Sequence, residues 1–408
     1  MINYTKNTSV YILYFFPIAV VIGEFAINLS ITLSIILFIF LCIAEKKFFY
    51  FKDKYFIIFL TFVSFLLIGS IFSQFKLNSF INTIIFLRYP LFALSIFYIL
   101  NNYPNFIKKF FFSFFFIISI LFIDSFYQNL NTYKINIIGF EMLDKNRISS
   151  LFGKDYVLGS FLSRSLIIIF LYLNLVINKI KKIYLIILLL LLNYTIFLSG
   201  DRAALLVTIL YQLFLIVFNK DLRKVIIYFF LTMSILVIIH LNIFKNSYSR
   251  YYSTTIDQIN NFEETNYDDM YYMSLKIFED NIIFGSGAKS YRYACKLYNK
   301  DKNISYLKDG CSTHPHQTYL QILAETGLIG FIIFSFFWIN IIKDTINGII
   351  FKNNKIMICG IFIFLIYMPI LPSGNFFGTW NNSLIFLNLG FFLYYRHSYK
   401  LQNIKYKL

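Results

Sequence analysis

Two histidines, His314 and His316, flank Pro315 at the end of a long polar stretch and just ahead of an apolar run. A neutral imidazole with a pKa near neutrality can take the proton of a hydroxyl nucleophile, and that is the chemistry this pair suggests. The plain alternative is that either ring hydrogen-bonds the backbone of its own loop. His240 ends an apolar run and His397 lies in a basic tail, where both read as interfacial residues. Arg202 follows Leu198-Ser199-Gly200-Asp201 and opens another apolar run. Its guanidinium either rests at a membrane surface beside Asp201 or grips phosphate oxygens with its planar fork of donors. Arg88, Arg164 and Asp124 fall within apolar runs. A charge there is expensive, so each lines a cavity or pairs inside a bundle. Arg147, Arg250 and Arg292 lie in polar stretches and read singly as solvated surface. Arg292, close behind Phe284-Gly285-Ser286-Gly287, has the best claim to a ligand. Cys295 and Cys311 share one polar stretch, whereas Cys42 and Cys359 sit in apolar runs as small packing residues. The first pair either closes a disulfide or joins His314 and His316 around zinc; Pro315 and the spacing fit no short structural-zinc pattern, so no metal is expected.

The elements that must position these residues follow from composition. Of 408 residues, 58% are hydrophobic and only 14% charged, too little polar material to cover a water-soluble protein of this size. The expectation is an all-α polytopic integral membrane protein, which excludes a soluble enzyme. Apolar runs of spanning length predict twelve transmembrane helices, near 10–24, 26–44, 55–72, 79–99, 110–127, 156–177, 183–199, 203–219, 225–242, 318–341, 357–373 and 382–395. Residues 10–44 are too long for one span and are read as two with a turn near Glu24. With both termini inside, 20 basic residues, from Lys6 to Lys407, face four acidic ones on the cytoplasmic side, nearly all of the net charge of +17. The high basicity thus needs no nucleic-acid partner. The first run is not followed by a small-residue cleavage pattern and is expected to stay in the chain.

Two outer segments exceed ordinary turns: 128–155, and 243–317 with 75 residues, nine basic and nine acidic. The larger is the expected bearer of the site. Within it, 271–280 reads as an amphipathic helix and Phe284-Gly285-Ser286-Gly287 as a glycine turn. The whole of 1–408 reads as one membrane domain without internal repeats.

The stretch from His316 through Gln317 and nine further residues to Gly327-Leu328-Ile329-Gly330 closely resembles the signature of the O-antigen ligase and polymerase superfamily. Arg202 with Leu206 resembles the family's outer-face arginine element, and Phe284-Gly285-Ser286-Gly287 its glycine turn. The resemblance covers about 150–375, and the twelve-span layout is similar over the whole chain. It implies a GT-C-like architecture in a bacterial inner membrane, with the active site periplasmic. The activity implied is metal-independent, inverting transfer of glycan from an undecaprenyl-diphosphate donor. The acceptor is lipid A–core in the ligase or another lipid-linked repeat unit in the polymerase. The resemblance gives His316 the role of base, Arg202 that of diphosphate holder, Arg292 (or Arg250) that of second holder, and His314 that of acceptor-orienting neighbour. Arg88 and Arg164 join them as substrate-binding candidates. A transporter or flippase would also suit twelve spans and buried arginines, but the halves show no relation to one another. A scaffold whose outer loop binds a partner is the third class; alanine at His316 or Arg202 would leave it nearly unaffected.

Overall fold

A computed structural model describes residues 2–131, 135–141, 147–243, 249–301 and 310–405. Lys407 and parts of both outer segments lie outside the described residues. The protein is an all-α polytopic membrane protein with no sheet among the described residues. Its helices are α1 (Ile2–Ile22), α2 (Glu24–Ala44), α3 (Lys54–Phe72), α4 (Lys76–Asn102), α5 (Phe106–Leu130), α6 (Leu158–Val176), α7 (Lys182–Leu198), α8 (Arg202–Phe218) and α9 (Lys220–Ile243). After these come α10 (Thr254–Asn260), α11 (Asn266–Glu279), α12 (Tyr291–Asp301), α13 (Thr318–Ile350), α14 (Asn354–Ile366) and α15 (Thr379–Lys405).

Eight of them, α1 to α6, α9 and α13, are long and apolar enough to cross a membrane; α7, α8 and α14 are shorter apolar helices. The predicted break near Glu24 is a single residue, Gly23, with φ 129°, and α1 and α2 fold back against each other across it. The bundle is built around α4, α6 and α15, with α15 packed along α4, while α9 lies at the edge with most of its apolar face exposed. Ile235, Ile238 and Ile239 on α9 are each more than half exposed, as expected of a face solvated by lipid.

At one end of the bundle the helices meet in ion pairs. Asp53 caps α3 by accepting from Tyr55 N at 2.9 Å and also pairs with the buried Arg396 of α15. Lys54 reaches Asp344 of α13 at 2.8 Å, and Glu45 pairs with Lys6 and Lys47. The opposite end carries the large loop, described through α10, α11 and α12.

The loop is fastened to α13 by backbone contacts. Helix α13 breaks at Gly327, whose φ of 65° and ψ of −170° are not helical. A break frees carbonyls before it and an amide after it, and buried groups of that kind need partners. The glycine turn supplies them. Ser286 N donates to Ala324 O and Gly287 N to Glu325 O, both at 2.9 Å, while Leu328 N donates to Ile282 O at 2.7 Å. A Cβ on Gly285 would stand 2.3 Å from Thr326 N, and one on Gly327 would stand 2.4 Å from Ile283 O. Two backbones touch here, which only glycine allows. Gly327 thus ends one helical segment and receives a loop.

Candidate functional site

The loop end of the bundle holds three clefts in a row. The first, about 740 Å³, is lined by Arg202, Arg250, Asp257, Gln258, Tyr267 and His316 among others. The second, about 550 Å³, shares Tyr267 and His316 with it and adds Arg147, Arg164, Asp201 and His314. The third, about 710 Å³, shares Lys154 and Arg164 with the second and adds Lys289, Arg292 and Thr313. His316 therefore stands at the boundary of the first two clefts and Arg164 at that of the last two.

Arg202 is placed by its helix start. Asp201 caps α8, its carboxylate accepting from Ala204 N at 3.1 Å and from the Ser160 hydroxyl at 2.9 Å. With Asp201 engaged there, Arg202 makes no ion pair among the described residues. Its guanidinium donates to Thr255 Oγ1 at 2.9 Å and Gln258 Oε1 at 2.5 Å, both on α10. Neutral partners aim a guanidinium without neutralising it, leaving its charge for an anionic ligand. Arg250 joins it from the turn before α10 and donates from Nε to Gly200 O at 3.2 Å. Asp257 is the acidic member of this cleft, and it accepts from Asn261 at 3.0 Å.

His316 immediately precedes the capping residue of α13: Gln317 accepts from Leu320 N at 2.7 Å. His316 has φ 55°, a left-handed conformation uncommon outside glycine and often found at functional positions. The conformation is held from the other side by Ser373 N, which donates to His316 O at 2.7 Å. The rings of His314 and His316 lie 4.1 Å apart, and the Tyr267 ring meets His316 edge-on at 6.1 Å. His314 is buried, with Nδ1 2.7 Å from Thr313 Oγ1 and Nε2 lacking a hydrogen-bond partner among the described residues. Burial, the His316 ring and the Arg292 charge push the His314 imidazole down to about 3. Burial lowers His316 too, against a hydrogen bond involving Ser373. Both rings are therefore neutral at pH 7, the form in which an imidazole accepts a proton.

The other arginines separate. Arg250, not Arg292, shares the cleft of Arg202; Arg292 lies exposed in the third cleft with Lys289. Arg164 lines two clefts, donating to Ser160 O at 3.0 Å and Asn381 Oδ1 at 2.7 Å beside the Trp380 ring. Arg88 stands behind the third cleft, its Nη2 donating to Thr379 Oγ1 at 3.1 Å and to the Tyr89 hydroxyl at 2.8 Å. Neither makes an ion pair among the described residues. Asp124 is no counter-ion to them: it is buried, accepting from Ile137 N at 2.7 Å and from the Ser150 hydroxyl, and it fastens the smaller loop to α5.

Cys295 on α12 and Cys311 are joined in a disulfide with Cα atoms 5.4 Å apart, which leaves neither sulfur for a metal. Among the described residues no group of three or more His, Cys, Asp and Glu is placed to hold one. The sequence gives no sign of Tyr267 or Gln258, and Arg147, read there as solvated surface, lines the second cleft with its guanidinium over the Tyr156 ring at 4.4 Å. The topology carried one available signal for Arg250. Helix α9 returns the chain to the loop end beside α8, so a residue shortly after it must fall near Arg202.

Together the clefts present seven lysine and arginine side chains against four acidic ones, suited to an anionic substrate, with a neutral imidazole at the passage between two of them. No curated protein matches the chain. Residues 185–335 match the family model described as O-antigen ligase, a stretch that holds Arg202, Arg250, Arg292, His314 and His316 but neither Arg88 nor Arg164. Over that part of its length, the chain carries an O-antigen ligase family domain.

Proposed function

We propose that this protein is a membrane glycosyltransferase of the O-antigen ligase type, moving a glycan from a lipid diphosphate to an acceptor hydroxyl. The observation that carries the reading is the meeting of His316, Arg202 and Arg250 at one cleft. The donor diphosphate sits against Arg202 and Arg250, whose charge has no ion-pair partner among the described residues. The neutral His316 takes the proton of the acceptor hydroxyl as its oxygen attacks the anomeric carbon from the face opposite the diphosphate. The bond from that carbon to the diphosphate oxygen breaks, and the electron pair leaves with the lipid diphosphate, where the two guanidinium groups stabilise the growing negative charge. The product is inverted, and His316 then releases its proton to solvent. The sugar is already activated, so neither nucleotide nor metal enters the scheme.

In this reading the short helices α7, α8 and α14, together with α15, complete twelve spans of a GT-C-like bundle. The lysine-bearing end is cytoplasmic and the clefts open to the periplasm of a bacterial inner membrane. The donor is an undecaprenyl-diphosphate-linked glycan and the acceptor lipid A–core. The test is transfer in liposomes by purified protein, with the donor alone and with lipid A–core, for the wild type and His316→Ala. Product only with lipid A–core, lost in the variant, supports the ligase; laddered growth on the donor alone makes the protein a polymerase joining lipid-linked repeats. Transfer unaffected by His316→Ala refutes the assignment of the base.

A further inference from the structure

We infer that the third cleft seats a phosphate group carried by a lipid-anchored acceptor, an inference that rests on the transfer reading above. Four basic side chains, Lys154, Arg164, Lys289 and Arg292, converge there from α6, its preceding loop and the start of α12. Glu24 and Asp155 are the acidic residues of the lining, so positive charge is in excess. Nothing in the donor's chemistry requires this second cationic pole: the lipid diphosphate is provided for by Arg202 and Arg250 in the first cleft. Among the described residues Arg164 donates to two neutral oxygens, and its Nε is buried without a partner. A bundle spends folding energy to keep such a charge at this depth, and charges so placed mark ligand paths.

The location matches the acceptor's side of the reaction. The third cleft runs into the second through Arg164 and Lys154, and the second reaches His316 with neither Arg202 nor Arg250 in its lining. Thr313, next to His314, lines it as well. A molecule anchored in the third cleft would thus offer a hydroxyl to His316 while the donor fills the first. The rim indicates a lipid anchor rather than a soluble molecule. Ile22 and Phe140 line the cleft and are 64% and 50% exposed, and Ile137 and Ile138 beside them are 58% and 64% exposed. Apolar side chains left bare beside a cationic pocket fit an acyl-chain boundary next to a headgroup phosphate. Two sources supply that chemistry: a phosphate ester on a core glycolipid, or the diphosphate of a second lipid-linked repeat.

Binding tests this independently of turnover. The full chain in nanodiscs is titrated with fluorescent lipid A–core bearing its phosphates, and with the same glycolipid stripped of phosphate by hydrofluoric acid. The substitutions are Arg292→Gln with Lys289→Gln, both exposed side chains, and separately Arg202→Gln. Loss of charge-assisted hydrogen bonds predicts that stripping weakens binding about tenfold in the wild type and not in the double variant. Arg202→Gln leaves both affinities within about twofold, because its cleft is not the one used. A lipid-diphosphate-linked repeat, titrated on the Arg202→Gln background, tests the second source; the same dependence on Arg292 and Lys289 there assigns the phosphate to a lipid diphosphate. Affinities that ignore the double substitution for both ligands overturn the inference. A wild type that binds as predicted but transfers nothing would instead refute the transfer reading.

Discussion

Substituting alanine for Gly285 tests whether the loop's grip on the broken helix is what holds His316 in place. The new Cβ would stand 2.3 Å from Thr326 N, 2.4 Å from Glu325 C and 2.5 Å from Gly327 N, all backbone atoms that no rotamer change can move. Reaching ordinary contact requires the turn to lift by about 1 Å, which breaks or stretches the three hydrogen bonds joining it to α13. A buried backbone group left unpaired costs about 1–3 kcal/mol, and alanine at φ 69° costs about 1–2 more. The sum is on the order of 5 kcal/mol, enough to undock the turn from α13. His316 lies eleven residues before the break, and a shift of about 1 Å in the segment that carries it lowers transfer by about 100-fold. Gly139→Ala is the control: its φ is 97° but nothing lies within 4 Å of the added Cβ, so it meets strain without collision. The assay pairs transfer in liposomes with trypsin cleavage of the large loop. Gly285→Ala should lose transfer and expose the loop while Gly139→Ala keeps both close to wild type. A Gly285→Ala protein that transfers normally behind a protected loop would refute the reasoning.

Four further outcomes follow from the geometry. Because His316 titrates below the ordinary histidine value of 6.5, the transfer rate should stay flat as pH falls from 8 to about 6.5 and decline only below that; a decline centred above 7 would exclude His316 as the base. Stability should follow the same sign. His314 is held neutral, with its pKa pushed down to about 3, while the unfolded chain protonates near 6.5, so protection of the loop from trypsin should weaken as pH drops through that window. Arg202→Lys keeps the charge but loses the fork held by Thr255 and Gln258, and should raise the half-saturating donor concentration roughly 10- to 100-fold with little change for the acceptor. Asp53→Asn leaves the buried Arg396 with Asp344, 3.8 Å away, as its remaining carboxylate partner and should cost about 1–3 kcal/mol of stability, seen as a lower melting temperature in detergent with both substrate affinities unchanged.

The helices were readable in the sequence wherever length and polarity spoke together. Residues 10–44 were too long for one span, and the break at Gly23 is where a glycine precedes the only charge of that run. The amphipathic stretch at 271–280 is real but starts earlier, because Asp268 and Asp269 favour the first turn of α11, where the helix dipole welcomes acid. The break in α13 was not readable. Gly327 looks like any small residue in an apolar helix until the turn at Gly285 is known to press against it, and that contact joins residues far apart in the chain. The arginines show the same limit. Sequence order marked Arg202 and His316 as candidates, but whether Arg250 or Arg292 stands beside Arg202 depends on how the loop folds back, and proximity to the glycine turn drew the expectation toward Arg292.

The bond between Asp53 and Arg396 also bears on how the protein is made. The two residues are separated by 343 positions, so at about 5–20 residues per second Asp53 is synthesised roughly 20–70 s before its partner exists. Throughout that interval the Asp53 carboxylate has its cap contact with Tyr55 N but not its arginine, and its free oxygen must stay in contact with water at the membrane surface. Docking of α15 then draws it in, and the same step brings Asp344 and Lys54 together around the arriving arginine. Docking of α15 thus completes a charge cluster that the first helices cannot close by themselves.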